Sequence, residues 1–432
     1  MASTYLSKTI TPSNYNRRKF TLSAWVKKAD DSVAASPILG FHGSTDYTMI
    51  RVDASSGVEF ICYQSSSVVA RKQTNMKLRD FSGWYHVVVA VDTDNGTASY
   101  RNRIYVNGEE QTSFSIDTNA SSGLDLINNN QTNFDIGSSV DQGGSRGYFG
   151  GILSHVHYCE GYQYSPSDFG ETDATTGEWK IKTDVSVSYG TNGFFILKDG
   201  NSVTDQSGNS NNFTVAGGTL TNTEDSPSNV FATINPLVPY SSNYDFYNGN
   251  TTVENDGSAA DWTTRWGVST LGMSSGKFYA EAKVAAIGTN QMYALGLVKD
   301  VGTFTPTSSI GTDGVGYYSN GGIFNLSNQN QTVATYTTND IIGIAFDRDN
   351  GTVQWYKNGS AVGTAETGLS TDGTWFFVTN QYTNGKVYVN YGNGYFGTTA
   401  VSSAGTNASG IGIFEYDVPT GYTALSTKGL NL

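Results

Sequence analysis

A hydrophobic alternation of period two, recurring along the whole chain and punctuated by Gly and Asn, constrains this sequence more than anything else in it. Around residue 20, Phe20, Leu22, Ala24 and Val26 alternate with Thr21, Ser23, Trp25 and Lys27. Around residue 280, Phe278, Ala280, Ala282 and Val284 alternate with Tyr279, Glu281 and Lys283. Successive side chains of a strand point to opposite faces, so each run offers one face to a core and the other to solvent or a second layer. No segment holds a helical stripe for more than a turn or two. Charged residues make up only 15%, while 50 Gly and 27 Tyr add turn formers and strand formers. These features predict an all-β chain of two antiparallel β-sandwich domains, jelly-roll in type, in tandem. They exclude coiled coils, helical bundles and most α/β enzymes.

A length of 432 residues suits two or three domains at roughly 100–200 residues each. Pro227, Pro236 and Pro239 fall close together in a chain with only 8 prolines. Proline removes ladder donors and fixes φ, so residues 220–250 are expected to form a connector between domains at 1–219 and 251–432. The two halves share a local pattern. Val91-Asp92-Thr93-Asp94-Asn95-Gly96-Thr97 leads to Tyr105-Val106-Asn107-Gly108, and Phe346-Asp347-Arg348-Asp349-Asn350-Gly351-Thr352 leads to Tyr356-Lys357-Asn358-Gly359. Asn-Gly supplies the positive φ angles of tight hairpins, so both stretches read as meanders.

The net charge of −13 argues against nucleic acid and anionic membranes as partners. No apolar run nears the ~18–20 residues of a membrane-spanning helix. The start, Met1-Ala2-Ser3-Thr4-Tyr5-Leu6, lacks the apolar stretch of a signal peptide, so synthesis in a cytoplasm is expected. Cys62 and Cys159 are too few for a disulfide framework and read as two buried thiols.

Several ordered motifs carry a resemblance. Thr21-Leu22-Ser23-Ala24-Trp25-Val26-Lys27, Gly83-Trp84-Tyr85-His86-Val87-Val88-Val89 and Arg103-Ile104-Tyr105-Val106-Asn107-Gly108 resemble a laminin-G/concanavalin-A-like lectin domain, as do Gly150–Tyr158 and Asp205–Thr214. Ser165–Asp173, Gly190–Phe195 and Asp225–Asn229 running into Asn235-Pro236-Leu237 resemble lectin-like proteins of tailed phages. Gly276–Val284, Asp340–Asp347 and Val353–Gly359 resemble a SPRY domain, with the departure that Ala280 stands where that family often has Trp. The first resemblance implies a sandwich that hosts either sugar binding or glycoside hydrolysis. The SPRY resemblance implies a sandwich that binds proteins or peptides through loops.

Candidate sites follow. Glycosidases of concanavalin-A-like fold need two carboxylates across a cleft, yet the strand signature Glu-x-Asp-x-x-Glu is absent, as are a nucleophile elbow and a phosphate loop. None of the four histidines (His42, His86, His155 and His157) has a Ser or Cys partner evident in sequence, so the chain is expected not to be an enzyme. His155 and His157 read as two exposed imidazoles sharing a sheet face. Asp92–Gly96 and Asp347–Gly351 place Gly at position five rather than six, which fails the EF-hand register. The lectin resemblance instead points to Asp205 and Asn209 as calcium ligands, against an Asx-turn at the same residues. Trp262, Trp266, Tyr317, Tyr318 and Tyr382 stand among Asn, Ser, Thr and Gly and are the candidate ligand-binding aromatics.

The resulting expectation is a non-enzymatic virion protein of a tail fibre or tail, binding a host-surface glycan or protein through sandwich loops. Weak single sites favour many copies, so an oligomer or multicopy position among other virion proteins is expected. The alternatives are a capsid or tail decoration protein and a glycan-degrading enzyme.

Overall fold

A computed structural model describes residues 3–10, 15–29, 35–43, 45–127, 133–198, 202–238, 244–255, 266–288, 293–300, 310 and 314–432. It is all-β, as the alternation requires, and its contacts divide it into two units, Met1–Leu220 and Thr221–Leu432.

In the first unit, β1 (Tyr5–Thr9) and β3 (Ala35–His42), β4 (Tyr47–Asp53), β5 (Gly57–Gln64) and β6 (Ser67–Lys77) belong to an eight-stranded antiparallel sheet, while β2 (Lys19–Lys28) belongs to a second sheet. Its spatial order is Phe114–Thr118, β6, β5, β4, β3, Asn133–Ile136, β1, Thr214–Gly217. A six-stranded sheet faces it, with β2 paired between Tyr85–Asp92 and Gly151–Glu160. The core lies between the sheets. Phe20, Leu22, Ala24 and Val26 of β2 meet Ile50, Val52 and Phe60 there, together with the ring pair Phe41–Phe134 at 4.0 Å. Each such apolar side chain contributes about 1.5–3 kcal/mol on full burial. The alternate residues of β2 are buried as well, with Thr21 and Ser23 at 0% exposure. Their face meets a second layer, supplied by the chain between residues 160 and 197.

The second unit repeats the plan with a different connectivity. Its larger sheet runs Tyr244–Tyr247, Thr252–Asn255, Gly385–Asn390, Lys277–Ile287, Ile341–Asp347, Thr352–Lys357, Ser360–Glu366, with Thr423–Ala424 added in parallel to Lys277–Ile287. The smaller has six strands, with Tyr293–Lys299 between Trp375–Gln381 and Gly314–Tyr318. Phe278, Ala280 and Val284 pack against Leu295, Leu297 and Phe377, around Trp355. The Asn358-Gly359 turn has φ of 49° and 79°, the left-handed pair that a two-residue hairpin needs.

The connector expected at 220–250 is not one. Ala232, Ile234 and Tyr244 belong to the second core, and Tyr244–Tyr247 is an edge strand of the larger sheet. Proline prevents regular pairing but not burial. The segment holds its place by isolated bridges, Phe231 with Ser426 and Ile234 with Ser269. Pro239 lies outside the described residues. Cys62 and Cys159 are both buried free thiols.

Candidate functional site

The alternation along β4 and β5 builds a second, outward face on the larger sheet of the first unit. Ile50, Val52, Val58 and Phe60 point into the core, so Tyr47, Met49, Arg51, Glu59, Ile61 and Tyr63 take the opposite parity, Tyr47 at the strand end also packing against the core's edge. The register pairs Tyr47 with Tyr63, Met49 with Ile61 and Arg51 with Glu59. On the far side, β6 sets Arg71 opposite Ile61 and Gln73 opposite Glu59. Three rows result: a tyrosine pair, an apolar floor of Met49 and Ile61 ending in Arg71, and Arg51–Glu59–Gln73; Arg71 reaches across to Glu59, which completes a charged trio with Arg51.

The Tyr47 and Tyr63 rings stack at 5.5 Å with 8° between their planes. Neither hydroxyl makes a hydrogen bond to a described residue. Burial pushes the Tyr47 phenol up, while the Arg51 charge pulls it down. Met49 and Ile61 form the floor, nearly covered yet outside the core. Glu59 is 0% exposed, and its two oxygens accept the Nε hydrogens of Arg51 and Arg71, one each. A buried carboxylate without a cation would be costly, so the two arginines are a condition of Glu59 being there. Asp53 completes the row, accepting the Gly57 N–H at 2.6 Å and the Ser55 hydroxyl at 2.8 Å, with the Gln73 amide also donating to it.

The neighbouring part of the face is closed. The hairpin Ser138–Val140 with Arg146–Tyr148 crosses β3 at Gly40, where a Cβ would lie 2.3 Å from Ser139 Oγ. Arg146 donates to Asp135 and lies 4.4 Å over the Tyr5 ring, while His42 Nε2 is 2.9 Å from the same carboxylate. Burial alone would raise the Asp135 carboxyl, but His42 and Arg146 hold it below the usual carboxylate range.

The other outer face of this unit carries the remaining histidines, and the structure gives His86 the Ser partner that the sequence did not reveal. Ser23 Oγ is 2.8 Å from His86 Nε2, and Trp179 Nε1 donates to His86 Nδ1 at 2.9 Å. An indole nitrogen only donates, so Nδ1 is the acceptor and the single imidazole proton sits on Nε2, directed at Ser23. A base that would activate Ser23 needs the reverse tautomer. Burial drives His86 down to about 3, so it is neutral. His157 is lowered by burial too; it stacks on Phe195 at 3.8 Å and bonds the Tyr189 hydroxyl at 2.8 Å. The expected pair of exposed imidazoles is therefore corrected: a bulge with φ of 47° at His155 breaks the alternation, and His157 is covered.

In the second unit the outer face of the larger sheet carries Glu281, 1% exposed. Its oxygens accept the Glu415 N–H at 2.8 Å and the Tyr416 N–H at 2.9 Å, with the Tyr279 hydroxyl at 3.2 Å. Burial raises this carboxyl to about 7, against those hydrogen bonds.

The residues singled out in sequence do not assemble into a site. Trp262 lies outside the described residues. Trp266 and Tyr317 are each 0% exposed, Tyr317 in the core with its hydroxyl on Ala334 O. Tyr318, next along the strand, points the other way, edge-on to Phe324 at 4.9 Å. Tyr382 is half-buried, and its carbonyl accepts the Asn255 amide at 2.8 Å. The polar surroundings of these rings marked strand ends over a core. The calcium reading of Asp205 and Asn209 also gives way. Asp205 accepts the Phe195 and Ser207 N–H groups at 2.9 Å on one oxygen, and the Ser207 hydroxyl and Asn211 N–H at 2.8 Å on the other. Four donors take up a carboxylate's lone pairs. The Asn209 amide donates to Gly190 O and Gly193 O. Among the described residues no group of three or more His, Cys, Asp or Glu side chains is placed to hold a metal.

The face on β4 to β6 was missed, although a signal for it existed. Tyr47-x-Met49-x-Arg51 and Glu59-x-Ile61-x-Tyr63 place large apolar residues on the parity opposite an already apolar one. Two apolar parities on one strand require cover on both sides, from the chain or from a ligand.

Residues 3–160 match the family model of the concanavalin A-like lectin/glucanases superfamily, and residues 270–394 match that of the SPRY domain. A search of curated proteins finds no match. Among solved structures, a human SPRY domain is 19% identical, covering 34% of this chain and 94% of its own, at a TM-score of 0.28. A native heptameric SAP-like pentraxin from Limulus polyphemus is 15% identical, covering 36% of this chain and 70% of its own, at 0.27. Stonustoxin is 15% identical, covering 58% of this chain and 34% of its own, at 0.30.

Proposed function

We propose that this chain is a non-enzymatic binding protein that takes a sugar chain on the outer face of β4, β5 and β6. The observation that carries the reading is the stacked Tyr47–Tyr63 pair, whose hydroxyls have no described protein partner, beside a floor of Met49 and Ile61. Stacked rings with polar tips suit the apolar faces and hydroxyls of a saccharide. The match to a lectin and glucanase superfamily over residues 3–160 includes every residue of this face. Binding rather than hydrolysis is favoured by the state of the carboxylates there. Glu59, Asp53 and Asp135 each accept hydrogen bonds from cations or fixed N–H and O–H groups, and Asp135 is pulled down rather than up, the wrong direction for a general acid.

The setting we propose, on the order of the sequence motifs alone, is the particle of a tailed phage, with a host-surface glycan as receptor. A glycan array probed with the purified chain tests the binding. Signal on oligosaccharides that Tyr47→Ala abolishes is expected, and an array blank for the folded wild type overturns the reading. Adsorption of the chain to host cells, and its blocking of infection, tests the setting separately.

A further inference from the structure

The charged trio at the end of this face is built for more than holding Glu59. One guanidinium neutralises one carboxylate. Here two guanidinia share it, so the trio carries a net charge of about +1. Each arginine reaches Glu59 through Nε, and the Nη groups of Arg51 and Arg71 make no hydrogen bond to any described residue. Their side chains are 21% and 30% exposed, against 0% for Glu59 beneath them. The carboxylate thus acts as a buried post that fixes two flexible side chains with their free N–H edges outward. Ordering those side chains beforehand removes much of the entropy cost of binding an anion there.

Asp53 adds one negative charge beside the trio, and Lys77, whose Nζ donates to Ser55 at 2.5 Å beside it, adds one positive, so the group keeps its net positive charge. Tyr47 and Arg51 lie four residues apart on one face of β4, about 14 Å at ~3.4 Å per residue. Met49 sits between them. That span fits a short oligosaccharide better than a single ring.

Resting on the sugar-binding reading above, we infer that the ligand is an acidic saccharide, its carboxylate on the outward edges of Arg51 and Arg71 and a neighbouring ring on Tyr47 and Tyr63. Guanidinium edges match a carboxylate in a bidentate, planar way that an ammonium cannot reproduce.

Calorimetric titration with trigalacturonate, triguluronate and sialyllactose, each beside its methyl ester, tests the inference. At least one acid should bind about tenfold or more tighter than its ester, with the preference shrinking as salt is raised. Arg71→Lys keeps a cation beside Glu59 but lacks the planar edge. It should lose most of the acid preference while keeping the thermal midpoint. Equal binding of acid and ester, or an Arg71→Lys variant that keeps the preference, overturns the acidic ligand and leaves sugar binding standing. Binding of neither acid nor ester, on an array blank for neutral glycans as well, overturns both.

Discussion

Each unit buries a glutamate on the outer face of its larger sheet, and the two are satisfied by opposite means. Glu59 is held by two guanidinia that come from strands on either side, with side chains 21% and 30% exposed. Glu281 pairs with no cation among the described residues. It is capped by backbone N–H groups of residues 415 and 416, which belong to a segment returning over the sheet with Phe414 and Val418 against Tyr279 and Ala345. Gly343 makes room for this, since a Cβ there would meet the Tyr279 hydroxyl at 2.5 Å. The comparison shows what a buried acid does on a sandwich face. Paired with cations it leaves polar edges facing outward, and wrapped by backbone it fastens a lid of the protein's own chain. The first arrangement makes a site, the second closes one.

The largest effect should come from breaking the cation side. Arg51→Ala leaves Glu59 buried with half its counter-charge, and removing one partner of a buried pair costs about 3–5 kcal/mol. Urea unfolding of the first unit should show it, and a loss below about 1 kcal/mol would mean that Glu59 is solvated rather than paired.

The lid side should answer to pH instead. The Glu281 carboxyl rises in the fold from an ordinary 4.5 to about 7. Its folded pKa exceeds its unfolded one, so the folded state keeps a proton that the unfolded state gives up. The associated stability is fully present below about pH 4.5 and is lost as pH rises through about 7, amounting to about 3 kcal/mol. Glu281→Gln should remove that dependence. Unfolding midpoints of wild type and variant, compared at about pH 5 and about pH 8, check it; parallel profiles would show that the lid does not depend on the charge of Glu281.

This contrast explains which parts were legible in the sequence. The strands were, because period two is local: Phe20 to Val26 and Phe278 to Val284 fell on their cores as read. The hairpin at Asn358-Gly359 was legible for the same reason, its geometry being set by the two residues that form it. The sites were not. Tyr47 meets Tyr63, and Arg51 meets Glu59 and Arg71, only through the pairing of three strands. Glu281 meets residues 415 and 416 from the far end of its unit. Trp266 and Tyr317 misled because polar neighbours in sequence say nothing about which layer folds over a ring. Asp205 misled in another way: a loop rich in oxygen ligands is equally rich in N–H donors, and here the donors closed on the carboxylate.

A smaller change sharpens the reading of the lid. Tyr279→Phe removes the hydroxyl that donates to Glu281 at 3.2 Å. Losing one hydrogen bond to a buried acid should cost about 1 kcal/mol. It should also move the Glu281 midpoint further upward, because that hydrogen bond favours the ionised form. Carboxyl NMR shifts across the titration would read the midpoint directly. A midpoint unmoved by the change would assign the shift to burial and the backbone donors alone.

The same deletion on the other unit should have the smallest effect on stability and a distinct effect on function. Tyr63→Phe removes a hydroxyl that bonds nothing described in the protein, while the ring keeps its stack on Tyr47 at 5.5 Å. The unfolding free energy should change by less than about 0.5 kcal/mol. Sugar affinity should nevertheless fall about two- to tenfold, the worth of one hydrogen bond made to a ligand instead of to the fold. A hydroxyl deletion that costs stability at Tyr279 and affinity at Tyr63 would separate a face closed by its own chain from one that takes a partner. If Tyr63→Phe instead destabilised the unit as much as Tyr279→Phe does, the open face would be a covered one too, and the site would have to be sought elsewhere.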